Sequence, residues 1–321
     1  MDTDTRRALL VDAFTAEPLT GNAAGVVPDA DGLSETQMQA IARELAVSET
    51  VFVHEPDDDG DYRVRYFTPT QEVDLCGHAT VALHAHLYAD GVLDAGTHAM
   101  ETNVGTLDVD VGEDGVVWMT QADPTVEEVT PDEERVADAL GVDVATLRDV
   151  GADLPMAVAS TGLRFLIVPI NFLEHLGNAD PDMDAVESLT EEYDVTGLYA
   201  FTFDALDADS TLHGRMFAPG AGIPEDPVTG TASGACGAYL REVDAFEDSE
   251  TQRVSDEASE ERSDSRALPD EMRFEQGHFV DRPGLVRVRI GDTVQVGGRA
   301  TPSFDGTMLV PEDEDDDIIE A

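Results

Sequence analysis

The sequence predicts an α/β protein built from two pseudo-symmetric halves, and three observations lead there. Residues 65–87 (RYFTPTQEVDLCGHATVALHAHL) and 215–240 (RMFAPGAGIPEDPVTGTASGACGAYL) share one pattern: an Arg-x-Phe-x-Pro strand ending, a polar turn, a glycine (Gly77; Gly230) and a small-residue helix. The pattern occurs twice, which fits two copies of one supersecondary unit rather than a solenoid. The helix after Gly77 carries no formal charge from His78 to Tyr88, and the one after Gly230 is Ala/Gly-rich up to Tyr239. A helix that is small and uncharged on every side is buried on every side, so each is expected to run through the middle of its own half. Finally, short apolar or alternating runs bounded by turn residues precede and follow both helices, as strands around a buried helix would.

In chain order, Ala8–Phe14 reads as a strand, and the Thr20-Gly21-Asn22 turn leads to a second near Val26. Ser34 and Gln37 form a capping box that opens an amphipathic helix to about Ala46, with Met38, Ile41 and Leu45 on one face. The strand Val47–Val53 follows at once, then Asp61–Phe67, in which Tyr62, Val64 and Tyr66 alternate with Arg63 and Arg65. Strands are expected around Ala99, at Leu107–Val111 and at Val116–Met119.

Proline in Ala122–Thr125 marks the crossing into the second half, giving domains 1–122 and 123–304. Pro131 is expected at the first position of a helix. Arg164–Pro169 and Leu198–Phe203 read as strands flanking helical material between about Asp180 and Tyr193, and the second central helix starts at Thr231. Residues 244–271, mostly acidic, serine and arginine, read as a solvated, mobile insertion, and 312–321 as an acidic tail. Order is expected to resume with Met272–Val280, Leu285–Ile290, Thr293–Val296 and Met308–Val310.

Composition excludes several chemistries. Of 321 residues 69 are acidic and 18 basic, a formal net charge of −51, and every basic residue is Arg. Without lysine there is no lysine Schiff base, to pyridoxal phosphate or to a carbonyl substrate, and no P-loop lysine. With 41% hydrophobic residues the chain is foldable, so its acidity reads as the carboxylate surface of a halophile's cytosolic protein. Nucleic acid and anionic membranes are not expected partners. Two cysteines, Cys76 and Cys236, point to a reducing, cytoplasmic compartment rather than a disulfide framework. No signal peptide or membrane span is expected, since the polar start is followed by a strand-like run.

Chemistry is sought at the helix starts, where unpaired amides and the aligned peptide dipoles favour an anion. If the halves are related by a pseudo-twofold, both starts point into one cleft. Glu49 lies between Ser48 and Thr50 and before the apolar run Val51–Val53, where partial burial would suit an acid/base, although among so many carboxylates a solvated surface charge is the commoner role. His78 opens the first central helix, either packed against backbone or offering a neutral imidazole to a ligand. Asp226 precedes Thr229-Gly230-Thr231, where an Asx turn with Thr229 or Thr231 capping the helix is compatible with a substrate contact. His84 and His86 lie on different faces of their helix, and no metal is expected. Cys76 is the rival base, for a two-thiol racemase. The corresponding position of the second half is Thr229, and Cys236 lies too far along its helix to replace it.

The segments VDAFTAEPLTGNAAGVV, VSETVFV, RYFTPTQEVDLCGHATVALHAHL, STGLRFLIVP, EDPVTGTASGACGAYL, EQGHFVDRPGLVRV and VGGRATPSFDGTM resemble the phenazine-biosynthesis PhzF-like family of the diaminopimelate-epimerase-like superfamily. The resemblance implies two similar α/β domains, each a mixed sheet curled into a barrel around a central helix. It also implies a final strand (308–310) returning to the first half, and a homodimer. It further implies an isomerase free of metal and organic cofactor, acting on a small anionic metabolite. Carried over by motif, Glu49 is the proton shuttle, His78 and Asp226 are active-site groups, and Ser48, Gly77, Gly230 and Thr231 contact the substrate. A racemase using Cys76 and a non-catalytic ligand binder on the same fold are the alternatives.

Overall fold

The computed structural model describes residues 4–148, 150, 154–246 and 268–312. The described chain is mixed α/β, pairs strands both parallel and antiparallel, and divides into two compact units, residues 1–119 with 297–321 and residues 120–296.

In the first unit, β1 (Thr5–Ala13) turns into antiparallel β2 (Asn22–Val27). The helix α1 (Glu35–Leu45) has the expected capping box and buries Met38, Ile41 and Ala42 against Val27, Phe52 and Phe67. β3 (Thr50–His54) then runs parallel to β2, and β4 (Tyr62–Phe67) antiparallel to β3. The two-residue β5 (Glu72–Val73) leads into α2 (Gly77–Ala89). β6 (Gly96–Thr102) lies parallel to β4 and is followed by antiparallel β7 (Gly105–Val111) and β8 (Val117–Thr120). Residues Ala79 to Leu87 of α2 are all buried, and the helix packs against β1, β2, β3 and β7 of its own unit.

The second unit repeats this order. β9 (Thr125–Glu128), α3 (Glu133–Leu140) and α4 (Ala145–Arg148) precede β10 (Ala157–Ser160), which pairs antiparallel with β9 and with β11 (Arg164–Pro169). After α5 (Leu173–Gly177) and α6 (Met183–Glu192), β12 (Gly197–Thr202) runs parallel to β11, and β13 (Leu212–Ala218) antiparallel to β12. The short β14 (Ile223–Asp226) leads into α7 (Gly230–Glu242), buried from Ala232 to Leu240. β15 (Met272–Gln276) lies parallel to β13 and is followed by antiparallel β16 (Gly284–Ile290) and by β17 (Val294–Gly298). The final strand, β18 (Ala300–Leu309), pairs along its length with β1, as β9 pairs with β10.

The repeat extends to side chains. Arg65 grips Glu72 through two bonds of 2.7 and 2.6 Å with its guanidinium 5.2 Å from the Phe67 ring centre. Arg215 grips Glu225 at 2.9 and 2.8 Å and lies 5.0 Å from the Phe217 ring centre. Each glutamate stands five residues before the glycine that starts its helix. Inside the helices, Thr80 Oγ1 donates to Cys76 O at 2.7 Å and Ser233 Oγ to Thr229 O at 2.9 Å.

Several details differ from the sequence reading. The chain leaves the first unit after Met119, before the expected 123; it returns at Gly297, before the expected 308–310, because β18 pairs with β1 from Ala300 to Leu309 with one register shift at Leu10/Val11. Pro131 precedes its helix, whose cap is Asp132, with the side chain accepting from the Glu134 amide. Neither Thr229 nor Thr231 makes a side-chain cap on α7. Residues 247–267 of the acidic insertion and 313–321 of the tail lie outside the described residues.

Candidate functional site

The start of α2 collects three of the singled-out side chains. The C-cap of α1, Ala46, is left-handed (φ 54°) and turns the chain sharply toward β3. Thr50 sits opposite Gly25 in the parallel β2–β3 pairing, and the Glu49 carbonyl accepts the Gly25 amide at 2.9 Å. Residues 48 and 49 are thereby fixed next to α2. Glu49 Oε2 lies 3.4 Å from His78 Nε2, with side-chain exposures of 19% and 12%, so both groups are largely desolvated yet reachable. Ser48 Oγ is 3.2 Å from the same nitrogen, and Cys76 Sγ is 3.4 Å from His78 Nδ1. One tautomer satisfies all of these: Nε2–H donates toward Glu49 and Ser48, and Nδ1 accepts from the thiol.

The N-cap of α2 is Cys76, extended (φ −140°, ψ 117°) and without a side-chain cap bond. Apart from its chain neighbours and its own helix backbone, no described atom lies within 4 Å of where a Gly77 Cβ would sit, so the Cβ side of Gly77 is open. Helix-start amides without a side-chain cap, beside a carboxylate and an imidazole, can hold a substrate oxygen while a proton moves.

In the second unit the start of α7 is braced by Gln276, which sequence reasoning missed. Its Nε2 donates to Asp226 O at 2.8 Å and Thr229 Oγ1 at 3.1 Å, and its Oε1 accepts the Thr229 amide at 3.2 Å. Thr229 Oγ1 donates to the Asp226 carboxylate, and Thr161 Oγ1 donates to Thr231 O at 3.3 Å. Asp226 is thus part-buried at the mouth of α7, next to Gly230 and Thr231. A glutamine at the buried end of a strand was the available signal, but its partners lie 47 and 50 residues away.

Sequence reasoning also missed a second group. His213 and Glu275 are in register on parallel β13 and β15, and His213 Nε2 lies 3.0 Å from His278 Nδ1. The Glu275 carboxylate accepts the Leu206 and Asp207 amides at 2.9 and 2.7 Å, which holds the loop before β13. Burial, helped by neighbouring His278 and Arg215, pushes His213 down to about 3. His84 and His86 take no part in the α2 start. His84 bonds Thr80 O and the Tyr62 hydroxyl, and His86 faces Asp90. Cys236 is buried within α7, and burial pushes its thiol up.

No helix among the described residues is long and apolar enough to cross a membrane. The family model for phenazine biosynthesis-like proteins matches residues 11–306. The chain is 38% identical over 309 residues to a Bacillus subtilis protein named "Uncharacterized isomerase YfhB", covering 95% of this chain and 96% of the relative. It is 33% identical over 240 residues, 72% of this chain and 78% of the relative, to trans-2,3-dihydro-3-hydroxyanthranilate isomerase of Pseudomonas chlororaphis. A PhzF-family protein of Bacillus anthracis of known crystal structure superposes with a TM-score of 0.80 at 32% identity, over 96% of this chain and all of that one. The chain therefore belongs to the phenazine biosynthesis-like, or PhzF, family.

Proposed function

We propose that this chain is an isomerase that moves a proton between carbons of a small carboxylate-bearing substrate, with Glu49 as the shuttle. The observation that carries the reading is the Glu49 carboxylate 3.4 Å from His78 Nε2, beside a helix start that has no side-chain cap. Glu49 takes a proton from one carbon and becomes a carboxylic acid, while the electron pair left behind delocalises over the conjugated substrate. Glu49 then returns the proton to another carbon and is a carboxylate again. His78 steadies whichever form is present by hydrogen bonding, and Ser48 and the Gly77 amide contact substrate oxygens. None of these steps calls on a metal or organic cofactor.

From the second unit we assign Asp226 as an active-site group and Gly230 and Thr231 as substrate contacts. Their support is the Gln276 brace, which fixes the backbone of 226–229. The finer fold reading, a sheet curled around α2 in one unit and around α7 in the other, rests on both helices being buried among strands of their own unit. Homodimer formation is checked by light scattering.

Glu49→Gln tests the mechanism. Tried with trans-2,3-dihydro-3-hydroxyanthranilate and related small acids, it should keep ligand binding and lose turnover by about 10²-fold or more, the usual contribution of a positioned acid/base. Undiminished turnover would overturn the assignment. The Cys76 racemase reading predicts loss of activity in Cys76→Ser, whereas the shuttle reading predicts that this variant stays active.

A further inference from the structure

The hydrogen bonds that brace the start of α7 run in one direction, and they end on Asp226. Gln276 is buried, and its amide has one possible orientation. Nε2 donates to Asp226 O at 2.8 Å and Oε1 accepts the Thr229 amide at 3.2 Å, so the reverse would set oxygen against oxygen and N–H against N–H. The second Nε2 proton goes to Thr229 Oγ1 at 3.1 Å, and the Thr229 hydroxyl donates its own proton to Asp226 Oδ2. On the reading of Asp226 as an active-site group, we propose that Gln276 is a positioning residue for the reaction: through Thr229 it holds the Asp226 carboxylate in one orientation and as a hydrogen-bond acceptor.

Starting a central helix does not require this relay. Arg63 stands opposite Glu101 on β4 and β6 as His213 stands opposite Glu275 on β13 and β15, so Gln276 corresponds to Thr102 of the first unit. Counted back from the helix glycines, Thr229 corresponds to Cys76 and Asp226 to Val73. Valine has no polar side-chain atom, and Thr102 Oγ1 donates to Gly105 O at 2.7 Å, yet α2 forms all the same. What the two helix starts share is the Arg–Glu pair before the glycine and the hydroxyl-to-carbonyl bond inside the helix. The relay is an addition of the second unit, and it converges on a carboxylate. The packing around it is close: Gly277 follows Gln276 at φ 85°, and a Cβ there would meet Pro227 O at 2.6 Å. Pro227 fixes its own φ and keeps Asp226 extended at the end of β14. A hydroxyl donating to a carboxylate favours the charged form, so the relay keeps Asp226 ready to accept.

The test follows the Asp226 carboxyl by carbon-13 NMR as pH is varied, in protein labelled at the aspartate carboxyls, with the signal assigned by its loss in Asp226→Asn. Thr229→Val removes the hydroxyl and keeps the shape, and should raise the midpoint by about one pH unit, because a bond to the charged form is lost. Gln276→Met should raise it too, but not in a Thr229→Val background, since the effect runs through that hydroxyl. The charged and titratable neighbours on β13, β14, β15 and the turn after it, His213, Arg215, Glu225, Arg273, Glu275 and His278, are the same in every variant. Circular dichroism checks folding; should Gln276→Met not fold, Gln276→Glu, of the same shape, replaces it, and its rise should shrink in the Thr229→Val background. With trans-2,3-dihydro-3-hydroxyanthranilate as substrate, Gln276→Met should lower kcat by about tenfold or more with KM little changed, and Thr229→Ser should recover the rate that Thr229→Val loses. A midpoint that stays put in Gln276→Met, or rises equally in both backgrounds, overturns the relay, and this readout needs no turnover. Midpoints that move as expected while kcat keeps its wild-type value overturn the role in the reaction by removing Asp226 from it, which tells failure of that reading apart from failure of the relay.

Discussion

Single residues here are set by burial more than by type. His84 is fully buried between Thr80 O and the Tyr62 hydroxyl, and desolvation lowers its pKa from 6.5 to about 4. Between those values the unfolded chain binds a proton that the folded chain refuses, so stability falls as pH drops through this window. The loss is roughly 3 kcal/mol at the lower end. Urea denaturation at steps from pH 7 to 4 should show this decline, and His84→Asn should flatten it; an unchanged slope would exclude the mechanism. Arg215 and Glu225 are nearly buried, with side-chain exposures of 7% and 13%, and Arg215 also donates to Leu176 O and Ala179 O. Glu225→Ala, which leaves that guanidinium uncompensated, should cost about 3–5 kcal/mol in chemical denaturation. The sequence showed Glu49 as one carboxylate among 69, and only its motif set it apart. Gln276 and His213 were illegible because their importance lies in contacts 47 to 65 residues away, which no spacing rule encodes.

Elements were legible where a local signal agrees with the tertiary demand. The Ser34–Gln37 box starts α1 as its pattern implies, and Ser34→Ala should cost about 1 kcal/mol in thermal or urea unfolding. The buried faces of α1 and β4 follow their periodicities directly. The start of α3 was misplaced because Asp132 competes with Pro131 as the stop-start signal, and the side chain that can accept an amide proton wins. β9, β10 and β14 were missed, being four residues each and too short to show a period. β18 was read as three residues because its ten positions are mostly half-exposed or exposed, which erases the apolar signature of a strand. Gly277 joins β15 to the turn carrying His278 at φ 85°, and an added Cβ would meet Arg282 O at 2.2 Å and Pro227 O at 2.6 Å. Gly277→Ala should therefore destabilise by more than about 1 kcal/mol and loosen the 226–229 segment; an unaltered unfolding midpoint would contradict that.

At the scale of the whole molecule, the duplicated pattern of 65–87 and 215–240 signalled a repeat that the structure extends, among the described residues, to nine strands of each unit matched in order around the central helices α2 and α7. The rest of the repeat was hidden because the other strands keep only their hydrophobic character, not their residues. The same chain carries a net charge of −51, so its carboxylates repel one another at low ionic strength. Raising KCl to molar levels shortens the screening length to about 3 Å and should raise the thermal midpoint; a midpoint that falls with salt would remove the halophilic reading. The central claim is that one carboxylate carries the migrating hydrogen, and isotope transfer tests it most directly. With a substrate deuterated at the carbon that is deprotonated, the product formed in ordinary water should retain label at the newly protonated carbon, and Glu49→Gln should form almost no product. Product whose new hydrogen comes wholly from water, formed as fast by Glu49→Gln as by the wild type, would contradict the account.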